Sequence, residues 1–140
     1  MAAIDLNSVR KTIESRLLTE LEDSPPVKVI FNDIPFSSSS KDTFVQCITS
    51  FSEGNYLTMG GTTNSTNRIV GLLILNIFTE AGKGSGANFT IGKRLRNLYN
   101  RITVSNVIFD SPIGPEVLTS SPKGKFQTQL RVTFEIYEEL

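Results

Sequence analysis

The chain opens on a helical rhythm. Leu6, Val9, Ile13, Leu17 and Leu21 recur at three- and four-residue steps, with Arg10, Lys11, Glu14, Arg16 and Glu20 between them. Such spacing gathers the apolar side chains on one stripe and the charges on the other, predicting a helix from residue 4 to about 22 that packs on a sheet. Asp23-Ser24-Pro25-Pro26 ends it, because proline lacks the amide and restricts the residue before it. The period then shortens. "VKVIFNDIPF" (27–36) reads as a short strand turning at Asn32-Asp33, "SSSSKD" as a solvated loop, and "TFVQCITSF" (43–51) as a second strand rich in β-branched and aromatic residues.

Residues 52–67, "SEGNYLTMGGTTNSTN", hold only Tyr56, Leu57 and Met59 as apolar anchors. A loop of that length in a small domain points to an arm that reaches a neighbour, or to a plain hairpin connection. "RIVGLLILNIFTE" (68–80) is the central strand. Arg68, Val70, Leu72, Ile74, Asn76 and Phe78 share one face; Ile69, Gly71, Leu73, Leu75 and Ile77 share the other. Both faces are apolar in the middle, so both are expected to be covered. "NFTIGKRLRNLYNR" (88–101) predicts a second helix with Asn88 as N-cap and Ile91, Leu95 and Leu98 toward the sheet. "ITVSNVIFD" (102–110) reads as one strand, 111–124 as a loop broken by proline and glycine, and the alternating "KFQTQLRVTFEIYEEL" (125–140) as a last half-buried strand. The expected fold is α+β: a mixed, mostly antiparallel sheet of four to five strands with two helices packed mainly on one face, in a single domain spanning 1–140.

Composition narrows the chemistry. The chain has 140 residues, enough to bury roughly 68–70% of the surface of the extended chain. Fourteen Lys and Arg balance 14 Asp and Glu, so no net field draws it to nucleic acid or an anionic membrane, and no sequence-specific nucleic-acid binding is expected. The absence of histidine removes Ser–His and Cys–His nucleophile pairs and the commonest neutral-pH base and zinc ligand. Cys47 is alone, so no intrachain disulfide is possible, and its strand context reads as a small buried hydrophobe. The first residues lack a basic start followed by an apolar run, and "IVGLLILNIF" is half the length of a membrane-spanning helix. A cytosolic product without catalytic, metal or cofactor residues is expected.

The stretch Gly82-Lys83-Gly84-Ser85-Gly86, between strand and helix, stands where phosphate loops stand. Its spacing differs from both phosphate motifs: the lysine precedes the second glycine, and G-x-G-x-G replaces G-x-G-x-x-G. A glycine turn from sheet to helix and an anion-binding turn remain the two readings.

"VRKTIESRLL", "NDIPF", "YLTMGG" and "RIVGLLILNIFTEAGKGSGANFTIGKRLRNLY" together resemble the bacteriophage tail-terminator (tail-completion) proteins. That family has a paired glycine upstream of a central strand of the type R-x-x-G-x-L-x-I-x-I-F, which runs into a glycine turn and an amphipathic helix. The matching positions here are Gly60, Gly61, Arg68, Gly71, Leu73, Phe78, Gly82, Gly84, Ser85, Gly86 and Ala87. The resemblance implies a non-enzymatic virion protein without cofactor. It implies a ring, commonly hexameric, that caps the tail tube, ends its polymerisation and meets the head–tail connector. Partners would then be further copies of the chain, the tail tube protein and the connector or neck protein. A basic face of Lys93, Arg94 and Arg96 meeting the acidic Glu135, Glu138 and Glu139 of a neighbour is the expected subunit contact. Tyr56, Leu57, Met59, Gly60, Gly61 and Arg68 are the candidates for tube or connector contact. Another neck or tail component, or an anion-binding domain using Gly82–Gly86, is the alternative.

Overall fold

The structure is a computed structural model that describes residues 5–22, 27–31, 43–56, 66–80, 82, 86–118 and 125–139. Helix α1 (Leu6–Glu22) buries Val9, Ile13, Leu17 and Leu21, the stripe that the periodicity defines; Leu6 lies outside it, exposed. Asp5 caps the helix: its carboxylate accepts from the Asn7 amide at 3.1 Å and the Ser8 hydroxyl at 3.1 Å. A carboxylate there also complements the positive end of the helix dipole.

The strands are β1 (Lys28–Phe31), β2 (Phe44–Tyr56), β3 (Thr66–Glu80), β4 (Thr103–Val104), β5 (Val107–Phe109), β6 (Ile113–Val117) and β7 (Lys125–Glu139), with helix α2 (Gly86–Tyr99) between β3 and β4. They form one sheet in the order β1-β2-β3-β7-β5-β4, with β6 also pairing β7. Only β1 and β2 run parallel among the described pairs. The mostly antiparallel α+β class is as expected, but the described residues form seven strands against the expected four to five.

The extra strands have local causes. The run 102–110 is a hairpin, because Ser105 (φ 47°) and Asn106 (φ 72°) form a two-residue turn joining β4 to β5. Positive φ at both positions matches the twist of the flanking strands, and Asn tolerates it. Part of the 111–124 stretch forms β6, where Pro115 is accommodated on a short edge strand at a register shift between Ile113 and Glu116. Both ends of the stretch 52–67, expected as a loop, are strand. β2 continues to Tyr56 across a bulge between Phe51 and Gly54, and β3 begins at Thr66.

Both helices lie on the sheet face carrying Leu73, Leu75 and Ile77 of β3 and Leu130, Val132, Phe134 and Ile136 of β7, all fully buried. Tyr99 ties the helices together by donating its hydroxyl to the Ile13 carbonyl at 2.8 Å. An aromatic chain continues inward, with ring centroids 5.0 Å apart from Tyr99 to Phe109, 5.9 Å to Phe134 and 5.8 Å to Phe51. Asn88 is not the N-cap. It sits inside α2, fully buried, and holds the helix to the sheet: it accepts from the Thr79 hydroxyl at 2.6 Å and donates toward the Ile77 carbonyl at 3.2 Å and Thr128 Oγ1 at 3.3 Å.

Candidate functional site

The second face of the sheet is where structure and expectation part. Along β3 it carries Arg68, Val70, Leu72 and Ile74, all half-buried, and then Asn76 and Phe78, buried. Full cover was expected over this face; among the described residues no helix lies on it, and the half from Arg68 to Ile74 is only half-buried. Two helices side by side already occupy the opposite face.

Rows across β2, β3 and β7 give this open face its chemistry. Phe44 and Phe78 stack at 4.8 Å, with the Lys125 ammonium 5.0 Å from the Phe44 ring. Next comes an amide row: Asn76 donates to Gln46 Oε1 at 3.1 Å, and Gln129 donates to Asn76 Oδ1 at 3.1 Å. Ile48 and Ile74 follow, beside Arg131, which pairs with Glu116 at 2.7 Å. Leu72 lies between Ser50 and Thr133, and Val70 beside Glu135. The face ends at Arg68, whose Nε is 2.8 Å from Glu135. The amide row and the two Arg–Glu pairs tie part of the face together across strands, although Arg68 Nε and Arg131 Nε are buried without an aligned hydrogen bond, and the apolar centre Ile48, Val70, Leu72 and Ile74 is only half-buried.

The sequence candidates divide. Arg68 is on this face, at the end where β3 emerges from residues 57–65; Leu57, Met59, Gly60 and Gly61 lie outside the described residues, and Tyr56 ends β2. The basic positions of α2 spread in three directions. Arg94 reaches α1, donating to the Glu20 carbonyl at 2.8 Å with its Nε 3.5 Å from the Glu20 carboxylate. Arg96 donates to the carbonyls of Pro112 and Gly114 at 2.7 and 2.6 Å, anchoring the segment that leads into β6. Lys93 is exposed. Of the acids, Glu135 holds Arg68, Glu138 accepts from Asn67 at 3.2 Å, and Glu139 is placed by its backbone at the end of β7. Within one chain the basic and acidic sets do not meet.

Sequence reading passed over a groove between α1, the end of α2 and β4, about 650 Å³ in volume. Lys11, Ser15, Arg16, Thr19, Leu98 and Val104 are among its lining residues. Arg16 is fixed there, its Nε donating to the Leu98 carbonyl at 3.0 Å. The signal was hidden because Lys11 and Arg16 read only as the wet side of an amphipathic helix.

The glycine turn also gains a geometry. Gly82 adopts φ +89°, the left-handed region that glycine enters without strain. β3 enters this turn with antiparallel neighbours on both sides, β2 and β7. A dinucleotide-binding unit instead places the next parallel strand alongside. Cys47 is buried at 2% exposure, and desolvation, reinforced by the Glu14 charge, pushes its thiol up to about 12. No described helix is long and apolar enough to cross a membrane.

No protein-family model and no curated protein sequence matches the chain. Among solved structures, a chain named only by a sequence identifier superposes with a TM-score of 0.68 at 12% identity, covering 96% of each chain. At that identity the likeness concerns the fold alone.

Proposed function

We propose that the chain is a structural phage protein of the tail-terminator type. It forms a ring that caps the tail tube, ends tube polymerisation and joins the tail to the head–tail connector or neck. The observation that carries this reading is the open sheet face. It has a half-buried apolar centre, Ile48, Val70, Leu72 and Ile74, framed by an amide row and two Arg–Glu ion pairs of the same chain. Such a face suits a large protein partner better than a small substrate. It also carries Arg68, one of the candidates for tube or connector contact, so it is the face assigned to the tube and connector.

The motif that suggested the family has physical content on this fold. A side chain at Gly71 would clash with the outer edge of the Phe134 ring, and Gly82 takes the positive φ that releases the chain from β3 toward α2. No chemistry is assigned to the protein: its role is assembly, in the tail or neck of a virion, with copies of itself as first partners.

The test has two parts. Light scattering of the pure protein should give a stable multiple of 15.4 kDa, unchanged by ATP or NAD. Electron microscopy of tails assembled without it should show tubes of uncontrolled length. Tubes of normal length in its absence would remove the terminator reading and leave another neck or tail component as the alternative.

A further inference from the structure

We infer that the outer flank of α2, Phe89 and Lys93 with Val117 of β6 beside them, docks on the outer flank of α1, Leu18 and Glu22, in a second copy of the chain. This inference rests on the ring reading and names its subunit contact.

The seam between the two helices fixes which sides are turned outward. Arg94 reaches the Glu20 carbonyl, Arg16 the Leu98 carbonyl and Tyr99 the Ile13 carbonyl, so these positions face the neighbouring helix. By the 3.6-residue turn, Leu18 and Glu22 lie on the side of α1 away from that seam, and Phe89 and Lys93 on the side of α2 away from it. The second flank borders β6. Gly92 packs against Pro115, and Asn88 reaches Thr128, the cross-strand partner of Val117. Phe89 falls between those two anchors and so stands at the Val117 end of β6.

Both flanks hold apolar surface and a charge that the chain leaves unused. Phe89 is 43% exposed, Val117 51% and Leu18 37%. Lys93 and Glu22 are exposed, and neither has an ion-pair or hydrogen-bond partner among the described residues. Glu14, one turn before Leu18, pairs with Arg10 at 2.8 Å, and Glu22 is one turn after it. Once Phe89 meets Leu18, Lys93, one turn on, therefore reaches an acid whichever way the helices run. The exposed cation Lys11 is two turns from Leu18.

The occupant is a second copy because the flanks complement each other, apolar against apolar and cation against acid. One chain holds them apart, on opposite sides of its helix pair. Two different patches that fit one another join copies head to tail, the arrangement that a ring requires.

The test is a disulfide trap between full-length single variants at exposed positions. Leu18→Cys and Phe89→Cys proteins are mixed under mild oxidation; native Cys47, 2% exposed, stays silent. A linked heterodimer forming well above the homodimer of either variant is expected. Homodimers as abundant as the heterodimer would overturn the head-to-tail pairing. In parallel, Lys93→Glu should weaken self-association a few-fold, the scale of an exposed ion pair, with an unchanged circular dichroism spectrum. Undiminished association of that variant would overturn the charge pairing. An oligomeric wild type without the linked heterodimer would overturn this contact and leave the ring standing. A wild type that stays monomeric both free and with tail tubes, again without the link, would overturn both.

Discussion

Gly71 is the residue at which a sequence motif turns into a steric requirement. It sits opposite Phe134 on β7, and a Cβ placed on it would meet that ring's outer edge. Phe134 is fully buried and wedged between Phe51 and Phe109, so it has little room to retreat. Gly71→Ala should therefore destabilise by about 1–3 kcal/mol, the scale of an overpacked core, read as a lower urea midpoint at constant slope. Adding Phe134→Leu should give back part of that loss, a coupling that independent sites would not show. Cys47 gives a second, pH-dependent outcome. Burial raises its pKa from 9.0 to about 12, so the fold holds the neutral thiol. The stabilisation is complete below pH 9 and drains away as pH rises toward 12, because the unfolded chain ionises first. Between pH 9 and 10 the loss is about 1 kcal/mol. Cys47→Ala should be less stable at pH 8 yet flatter over that interval in urea titrations. Tyr99, also raised by burial, keeps some alkaline slope in both proteins.

At the scale of elements, Asn88 decides how α2 meets the sheet. Its amide satisfies Thr79, Thr128 and the Ile77 carbonyl in a place without exposure to water. Asn88→Ala strands those partners, and we expect a loss of about 2–4 kcal/mol in chemical unfolding, with the α2 amides the first to lose hydrogen-exchange protection. An unchanged exchange pattern would mean that α2 is held by its apolar stripe alone. The helices themselves were legible in the chain because Val9, Ile13, Leu17 and Leu21, and Ile91 and Leu95, keep the 3.6-residue period that only burial of one stripe explains. Asn88 was misread because the same amide suits a helix cap and a buried network, and local sequence does not say which. The β4–β5 hairpin was missed for a related reason: its strands of two and three residues are too short for alternation to register. The Ser105-Asn106 pair was the available signal. β6 was hidden by Pro115, which argues against a central strand but not against an edge.

The whole molecule is asymmetric across its sheet. Alternation along β7 was readable as one wet and one dry face, while β3 looked dry on both. The structure resolves that by leaving Val70, Leu72 and Ile74 half-buried on the face opposite the helices. An apolar centre kept in contact with water costs solubility unless a partner covers it. Folding and partner contact should separate on this face, because its centre lies outside the buried core. Leu72→Glu places a charge in the middle of the open face, between Ser50 and Thr133, without touching the buried core. It should cost about 1 kcal/mol or less in thermal stability. Capping should fail: tails assembled with the variant should show tubes of uncontrolled length under the electron microscope. Arg68→Ala, which removes a half-buried ion pair at the rim of the same face, should weaken capping less. Capped tubes of normal length with Leu72→Glu would move the tube contact off this sheet face.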